Sequence, residues 1–290
     1  MFYDSMDTDV TDKVPYIEAS SINEKVSTWL SDQKAKDKPY FLWVHYMDVH
    51  EPYIPARKYI DLVAPSINLS EDEMFSLFKN VLLKRDVSNK DTVELLRKLY
   101  LAGVRKIDDA VREFFGVLEE ADLLNESFVI MTADHGDEFG EHGGLSHDGK
   151  LYSALVDVPL ILFDPTLSEG KVCDRVVSTI DVSPTILHLF GIEPVAGFQG
   201  HSLLPMEDYP RKGVYGESIE KRGERERGDE KPVYFYRENN LKIIYHEERD
   251  SWELYDLGKD PHEQDNIVDH SPAAEEMRNN LISRVGRWGR

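Results

Sequence analysis

A short apolar run, Ser127-Phe-Val-Ile-Met131, leads directly into the polar stretch Thr132-Ala-Asp-His-Gly-Asp-Glu-Phe-Gly-Glu-His-Gly-Gly-Leu-Ser-His147. The apolar run predicts a buried strand, and an open α/β sheet binds its ligands where such strands end. Asp134 and His135 are adjacent, and Gly136 permits a sharp turn, so that a carboxylate and an imidazole could reach one cation. The stretch therefore predicts an α/β fold with a cation site. The alternative is a glycine-rich surface loop with incidental histidines.

Two further apolar runs, residues 40–46 and 159–163, predict strands of the same sheet as residues 128–132. A mixed, mainly parallel sheet flanked by helices brings the ends of such strands to one edge. The run at 40–46 leads into a polar loop that contains His50. We therefore expect the His50 imidazole at the same edge as Asp134. The alternative is a structural histidine in a loop stiffened by prolines.

The periodicity of apolar residues predicts helices on either side of this sheet. Amphipathic helices are expected at residues 22–36 and 91–123. Residues 56–90 between them predict a mobile helical excursion over the site. Together these elements predict an α/β/α sandwich that extends over residues 1–208.

The C-terminal part of the sequence predicts a separate, smaller α+β subdomain over residues 209–290. A charge-rich segment at residues 219–231 is expected to form a loop. Short runs with turns between them predict three strands of a small antiparallel sheet, at residues 233–237, 241–245 and 252–256, and Asn239-Asn240 fits the first turn. A helix from about residue 272 is expected to close this sheet.

The acidic composition limits the partners of this protein. Asp and Glu number 55 against 34 Lys and Arg, which gives a formal net charge of −21. A field of that sign repels nucleic acid and anionic membranes, so neither is expected as a partner. Capture of a small anionic substrate then depends on a metal ion or on a few placed cations. The oligomeric state does not follow from composition.

Cysteine usage and targeting signals add two expectations. Cys173 is the only cysteine, so neither an internal disulfide nor a thiolate metal cluster is expected, and Cys173 itself should be a small buried residue. No apolar segment approaches the ~20 residues that span a bilayer, and the first residues lack the regions of a signal peptide. A cytoplasmic location is the default expectation.

Several motifs in order resemble those of the sulfatases, within the alkaline-phosphatase-like superfamily of metal-dependent hydrolases. The resemblance runs from about Pro39 to Asn266. Its motifs are Val49-His-Glu-Pro-Tyr53, Tyr100 to Asp108, Thr132-Ala-Asp-His-Gly with Gly140-Glu-His-Gly, His147 with Leu151-Tyr152, Val158-Pro-Leu-Ile161, Ile180-Asp-Val-Ser-Pro-Thr-Ile186 with Gly200-His-Ser-Leu-Leu, and Glu253-Leu-Tyr-Asp-Leu257 with Asp260-Pro. Each motif is modest alone, and their order and spacing make the resemblance specific.

The resemblance implies a divalent cation. In such enzymes an early pair of aspartates and the pair matching Asp134 and His135 hold the ion, which is usually Ca²⁺. The ion neutralises the sulfate oxygens as a Lewis acid and template. A histidine ligand shifts the expectation somewhat toward Mn²⁺ or Zn²⁺.

The resemblance also implies catalytic roles for two imidazoles. His50 and His147 match residues that contact the sulfate or the leaving-group oxygen, and protonation of that oxygen typically accelerates such a reaction ~10²–10⁴-fold. His142 is expected to contact the residues that bind the metal rather than the metal itself. Lys150 is expected to add positive charge, although the distance to Pro159 favours His147 for the direct role.

One departure from the family pattern concerns the nucleophile. The family uses a Cys converted to formylglycine, or a Ser, in Cys/Ser-x-Pro-Ser-Arg, after a metal-binding Asp-Asp. Neither element occurs in this sequence. Cys173 lacks the following Pro and Ser-Arg, and Ser183-Pro184 is better explained as a helix cap. We therefore expect a sequence that matches the later part of the family and has no turnover of aryl sulfates by itself.

Two classes of function stay open from the sequence. The first is a sulfatase-type hydrolase of sulfate esters whose missing groups come from another segment. The second is a non-catalytic remnant that still binds a cation or an anion. A phosphodiesterase, phosphonate hydrolase or phosphotransferase of the same superfamily is the enzymatic alternative.

Overall fold

The computed structural model describes residues 16–33, 38–82, 87–147, 149–219 and 231–286. The charge-rich loop predicted at residues 219–231 therefore lies almost entirely outside the described residues. Internal contacts divide the chain into two compact units. The first unit comprises Met1–Val129, Gly143–Ser146 and Phe163–Ser168, and the second comprises Ile130–His142, His147–Leu162 and Glu169–Arg290. The predicted division at residues 208 and 209 stays a prediction.

The first unit is mainly helical. Its helices are α1 (Ala19–Gln33), α2 (Arg57–Val63), α3 (Glu71–Leu77), which continues into a π-helical turn (Phe78–Leu82), and α4 (Lys90–Glu120). Asn89 caps α4 by accepting a hydrogen bond from the Thr92 N–H. Helix α4 packs against α1 and α2. Buried side chains such as Leu96, Leu99 and Ala102 recur at helical spacing and form the stripe that these contacts need.

Residues 40–46 were expected to form a strand, and the structure corrects this. These residues are extended but do not form a β-strand. Their side chains alternate as in a half-buried strand, with Leu42 and Val44 packed on the core of α1 and α4 and Phe41 and Trp43 exposed by 61% and 77%. A strand also needs hydrogen-bonded neighbours, and none of the described residues forms a ladder with this segment.

The other two predicted strands belong to one sheet, as expected. Strand β1 (Val129–Thr132) pairs with β4 (Leu160–Phe163). Between them lie two short strands, β2 (Glu138–Phe139) and β3 (Leu145–Ser146), and the single-turn helix α5 (Ser153–Val156). The polar stretch of the sequence therefore lies between two paired strands.

The helix predicted to start at Ser183 begins earlier. Helix α6 covers Val182–Leu189 and continues a 3₁₀ turn at Thr179–Asp181. Ser178 and Asp181 form the capping box of that turn, and the Asp181 side chain also accepts hydrogen bonds from the His201 N–H and the Tyr209 hydroxyl. Ser183 is therefore inside the helix, and its predicted role as the N-cap is wrong because the 3₁₀ turn runs directly into α6 and makes Asp181 the N-cap.

The C-terminal sheet of the second unit contains the three predicted strands and one more. Its order is β5 (Gly213–Ile219), β6 (Pro232–Glu238), β7 (Leu241–His246) and β8 (Ser251–Asp256), and all neighbours are antiparallel. Helix α7 (Ala274–Val285) contributes Met277 and Leu281 to a core on one face of the sheet. Leu151 and Tyr152, which follow the polar stretch in the chain, pack on the other face.

In the part of the chain that the structure describes, every helix is too short or too polar to cross a membrane.

Candidate functional site

Gly136 fixes the course of the backbone through the polar stretch. The Gly136 N–H donates a hydrogen bond of 2.9 Å to the Leu155 carbonyl in α5. A Cβ atom added at Gly136 would lie 2.1 Å from the Ala154 carbonyl oxygen. Glycine is therefore required here by the close approach of two backbone segments, and this contact fixes the backbone directly after Asp134 and His135.

Asp134 and His135 form an adjacent donor pair. The His135 N–H donates to Oδ1 of Asp134 at 3.1 Å, and His135 Nε2 lies 3.8 Å from Asp134 Oδ2. His135 Nδ1 lies 3.0 Å from the Gly136 carbonyl oxygen. Because a carbonyl oxygen only accepts hydrogen bonds, Nδ1 carries the proton and the lone pair of the neutral ring is on Nε2.

The donor pair fits a divalent cation by its chemistry. A carboxylate oxygen and a neutral imidazole Nε2 are both metal ligands. Bonds of about 2.0–2.2 Å from each to one ion are compatible with the 3.8 Å between the two atoms. The Asp134 side chain is 71% exposed, so its carboxylate keeps coordination positions available. The hydrogen bond from Nδ1 to a carbonyl is the usual support of a ligating histidine.

The ring of His147 lies beside the ring of His135. Their ring centroids are 4.2 Å apart and the ring planes are inclined by 35°. His147 Nδ1 lies 3.3 Å from Oδ1 of Asp137, whose side chain is only 8% exposed. Ser146, just before His147, has a left-handed φ of 63°. Residues other than glycine rarely adopt this backbone conformation, which marks a constrained turn.

Asp137 is a functional candidate that sequence reasoning missed. It lies two residues after His135 and ten before His147, within the stretch that predicted the site. A carboxylate is a frequent hydrogen-bond partner of a functional histidine. That tendency was the available signal, although sequence spacing alone does not select Asp137 among the carboxylates of the stretch.

His142 and Lys150, which were expected to support the site, are held by Glu138. The His142 N–H donates to Oε1 of Glu138 at 2.6 Å, and Lys150 Nζ lies 2.8 Å from Oε2. Lys150 also donates to the His142 carbonyl oxygen at 3.2 Å. Since Glu138 is 1% exposed, the charge of Lys150 balances a buried carboxylate.

The His142 ring stacks on the ring of Tyr152. Their centroids are 3.4 Å apart and the planes are inclined by 5°. Burial lowers the pKa of His142, and it outweighs the nearby charge of Glu138, which acts in the opposite direction. Burial therefore favours the uncharged form of the His142 ring.

Buried side chains of the C-terminal sheet hold the segment after Lys150. The Tyr152 hydroxyl donates to Glu253 at 2.9 Å, and the Ser153 N–H donates to Glu263 at 2.5 Å. Lys242 and Glu263 form an ion pair of 2.8 Å in which both side chains are at most 1% exposed. These residues act over long sequence separations, and nothing in the local sequence pattern pointed to them.

His50 belongs to the first unit, where a tight turn presents it. The His50 N–H donates to the Met47 carbonyl at 2.9 Å, and His50 Nδ1 lies 2.8 Å from the Glu51 carbonyl oxygen, so Nδ1 carries the proton. Asp48 anchors the turn, since its fully buried carboxylate pairs with Lys106 at 2.9 Å. The catalytic role of His50 stays a prediction.

Cys173 was expected to be buried, and the structure shows that it is exposed. It lies in an irregular segment before the 3₁₀ turn at Thr179–Asp181. A free cysteine behaves as a small apolar residue, which favours its burial. A segment without regular structure, however, provides no packed face against which the thiol could be buried.

Known proteins match the sequence over most of its length. The family model described as Sulfatase matches residues 2–192, and the model described as N-sulphoglucosamine sulphohydrolase, C-terminal, matches residues 140–288. An arylsulfatase from Clostridium perfringens is 26% identical over 245 residues, which cover 80% of this chain and 50% of the relative. A choline-sulfatase from Rhizobium meliloti is 28% identical over 258 residues, which cover 80% and 47%. The chain thus spans about half the length of these curated relatives.

Solved structures share the fold. One, determined in complex with its substrate D-glucosamine-2-N,6-O-disulfate, has a TM-score of 0.71 and 21% identity, and the match covers 94% of this chain and 69% of that one. The phosphonate monoester hydrolase of Agrobacterium radiobacter has a TM-score of 0.68 and 18% identity, with 98% and 64% covered. The predicted α/β fold is confirmed by these likenesses.

The Sulfatase model alone covers well over half of the 290 residues, and it includes Asp134, His135, Asp137 and His147. By its sequence, and in agreement with its fold, this chain belongs to the sulfatase family.

Proposed function

We propose that this protein acts in the metal-dependent hydrolysis of small sulfate esters. The observation that carries the proposal is one loop of a sulfatase-family chain that places the donor pair Asp134–His135 beside the imidazole of His147. An acidic protein with a net charge of −21 needs such a local device to capture an anion.

In this proposal Asp134 and His135 hold a divalent cation. Ca²⁺ is the first candidate because it is usual in the family, and the imidazole ligand makes Mn²⁺ and Zn²⁺ the alternatives. When bound, the cation neutralises the sulfate oxygens as a Lewis acid. Gly136 contributes by holding both ligands against the backbone of α5.

His147 and His50 act on the ester in this proposal. The Nε2 atom of His147 contacts the sulfate or the leaving-group oxygen, while Nδ1 is engaged with Asp137. His50, presented by the turn that Asp48 anchors, supplies the second imidazole. His142 and Lys150 shape the loop through the buried Glu138 and are not assigned contact with the substrate.

The nucleophile is the part of the reaction for which this chain offers no recognised group. Cys173 is exposed and lacks the family's flanking residues, and Ser183 lies within helix α6. Without an activated nucleophile a covalent intermediate does not form. We therefore expect the 290-residue chain alone to bind a cation and a sulfate ester without turning the ester over.

The test combines calorimetric binding with an assay on the purified chain. Ca²⁺, Mn²⁺ and Zn²⁺ are titrated in turn into the wild type and into Asp134→Ala, and the metal-loaded chain is then titrated with an aryl sulfate, an aryl phosphodiester and an aryl phosphonate. Tighter binding of the sulfate ester, lost in Asp134→Ala, is the expected result. Preference for a phosphorus ester would support the alternative activity. Equal cation binding by wild type and variant would overturn the metal site, and turnover that His147→Ala abolishes would reveal an unrecognised nucleophile.

A further inference from the structure

A cavity of about 480 Å³ lies between helix α7 and the edge of the C-terminal sheet where β5 begins and β6 ends. Its lining includes three cations and two carboxylates, which are Arg211, Lys212, Arg284, Glu238 and Glu276. We propose that this cavity binds a small acidic sugar, a ligand that combines an oxyanion with several hydroxyl groups. Its lining residues lie outside the polar stretch at residues 132–147, so this site goes beyond the proposed function.

The cavity concentrates positive charge in an acidic protein. Among the residues that the structure describes, Lys212 and Arg284 have no carboxylate as an ion-pair partner. The guanidinium carbon of Arg284 lies 5.6 Å from the centre of the Tyr215 ring, an arrangement that favours a cation over an aromatic face. Because the net charge of −21 repels anions from the protein as a whole, this local excess of cations provides the attraction that an anionic ligand needs.

Arg211 is the buried cation of the cavity, and it distinguishes the site from a chance group of surface cations. Its side chain is 9% exposed, and its Nε lies 3.4 Å from Oδ1 of Asp181 without a hydrogen bond to any described residue. One terminal nitrogen donates to the Gln199 carbonyl oxygen. A guanidinium carries five N–H donors, and a buried donor without an acceptor is unfavourable. An oxyanion in the cavity would supply acceptors for this group.

Asp181 fixes the side of the cavity that Arg211 and His201 form. Its fully buried carboxylate accepts hydrogen bonds from the His201 N–H at 2.8 Å and from the Tyr209 hydroxyl at 2.5 Å. The same carboxylate lies beside the Arg211 guanidinium. These contacts hold two lining residues in place before a ligand arrives, and such preorganisation lowers the loss of conformational freedom on binding.

The size and the polarity of the cavity favour a sugar over a simple ion. Sites for small molecules typically enclose about 300–1,000 Å³, and this volume is more than an inorganic sulfate fills. His201, Glu276 and Asn280 add polar groups to the lining, and such groups donate to and accept from hydroxyl groups. The lining offers little apolar surface for a lipid or an aromatic compound. A monosaccharide with a carboxylate or a sulfate group satisfies both the cations and these polar groups.

NMR titrations of the full chain with glucuronate, glucose 6-sulfate and uncharged glucose test the inference. A chelator keeps divalent cations away from Asp134 and His135. We expect the wild type to bind at least one acidic sugar clearly more tightly than glucose. Lys212→Met and Arg284→Gln each remove one exposed cation and should weaken this binding about tenfold, as the loss of one charge-assisted hydrogen bond implies. The exposed Lys171 lies outside the cavity lining, and the control Lys171→Met should bind as the wild type does.

Several outcomes would overturn the inference. These are no binding of either acidic sugar, equal binding of glucose, and unchanged affinity in both Lys212→Met and Arg284→Gln. Inorganic sulfate that binds as tightly as the acidic sugars would remove the sugar as the ligand. Asp134→Ala should retain the binding, and its loss in that variant would place the sugar at the polar stretch instead. Because these titrations contain no divalent cation, a failure of the cation binding in the proposed function leaves their result unaffected.

Discussion

The Tyr152 hydroxyl donates a hydrogen bond to Oε2 of Glu253, which lies 2.9 Å away and 101 residues later in the chain. The ring of Tyr152 also stacks on the ring of His142. Glu253 also accepts from the Tyr255 hydroxyl at 3.1 Å and lies 3.1 Å from His246 Nε2. The candidate loop is thus tied by one aromatic ring to a polar cluster in the C-terminal sheet.

Replacing Tyr152 by Phe should lower the free energy of unfolding by about 1–3 kcal/mol, because it leaves a largely buried carboxylate with one donor fewer. Phe keeps the ring that stacks on His142, so the loss reports the hydroxyl alone. Urea unfolding followed by circular dichroism measures the change.

Tyr245→Phe is the control for that measurement. The Tyr245 hydroxyl also donates to a carboxylate, that of Asp250, but in an exposed position, and its ring keeps the stack on Trp252. We expect a loss within about 0.5 kcal/mol. Equal losses in the two variants would mean that burial of the Glu253 cluster contributes nothing special.

The C-terminal sheet shows what the sequence could and could not predict. Strands β6 to β8 were predictable because each is a short run rich in apolar and aromatic residues and Asn239, with φ of 54°, lies in the turn between the first two. Strand β5 was missed because Gly213 and Gly216 weaken its pattern. Its place is set by pairing with β6 across residues 220–231, and such pairing is not encoded locally.

The same distinction holds for the candidate site. The proximity of Asp134, His135 and His147 was predictable because they share one stretch with a glycine that permits the turn, and their roles stay predictions. The strand expected at residues 40–46 was wrong because an apolar run indicates burial of a segment and does not identify its hydrogen-bonding neighbours. Glu253 and Glu263 reach the loop only through the tertiary fold.

The buried ion pair of Lys242 and Glu263 should be strongly coupled. Lys242→Met leaves the Glu263 carboxylate buried without its cation, and we expect a loss of about 3–5 kcal/mol. Adding Glu263→Gln removes the orphan charge while it keeps an oxygen for the Ser153 N–H. The double variant should therefore be more stable than Lys242→Met alone, as measured by a double-mutant cycle in urea. Simple additivity of the two single losses would refute the coupling.

Stability should fall when the pH drops below the ordinary pKa of histidine, because of His142. Its pKa is lowered in the folded protein from the usual 6.5. Below about pH 6.5 the unfolded chain therefore binds more protons than the folded one. As the pH falls further, the free energy of unfolding decreases, until the pH drops below the pKa that His142 has in the folded protein. Above that window the contribution of His142 is fully present.

His142→Phe isolates this effect, because it keeps the stack on Tyr152 and removes the titrating group. Urea unfolding at about pH 7.5 and about pH 5.5 should show a smaller difference for His142→Phe than for the wild type. The exposed His270 gives the control, since His270→Gln should leave the difference unchanged. An identical pH dependence in all three proteins would remove His142 from the explanation.

Gly136→Ala should damage both stability and cation binding, because the added methyl group would lie 2.1 Å from the Ala154 carbonyl oxygen. The two backbones must move apart, at a cost of about 1–3 kcal/mol, and the hydrogen bond from the Gly136 N–H to Leu155 is stretched or lost. This hydrogen bond fixes the backbone next to His135 and Asp134. Its loss should therefore lower the cation affinity about 10–100-fold, as for other losses of ligand support. Gly170→Ala is the matched control, because nothing lies within 4 Å of a Cβ there. Calorimetric titration with Mn²⁺ and urea unfolding on both variants decide the matter: a Gly136→Ala protein that is destabilised but binds Mn²⁺ as the wild type does would show that the turn supports the fold without positioning the ligands.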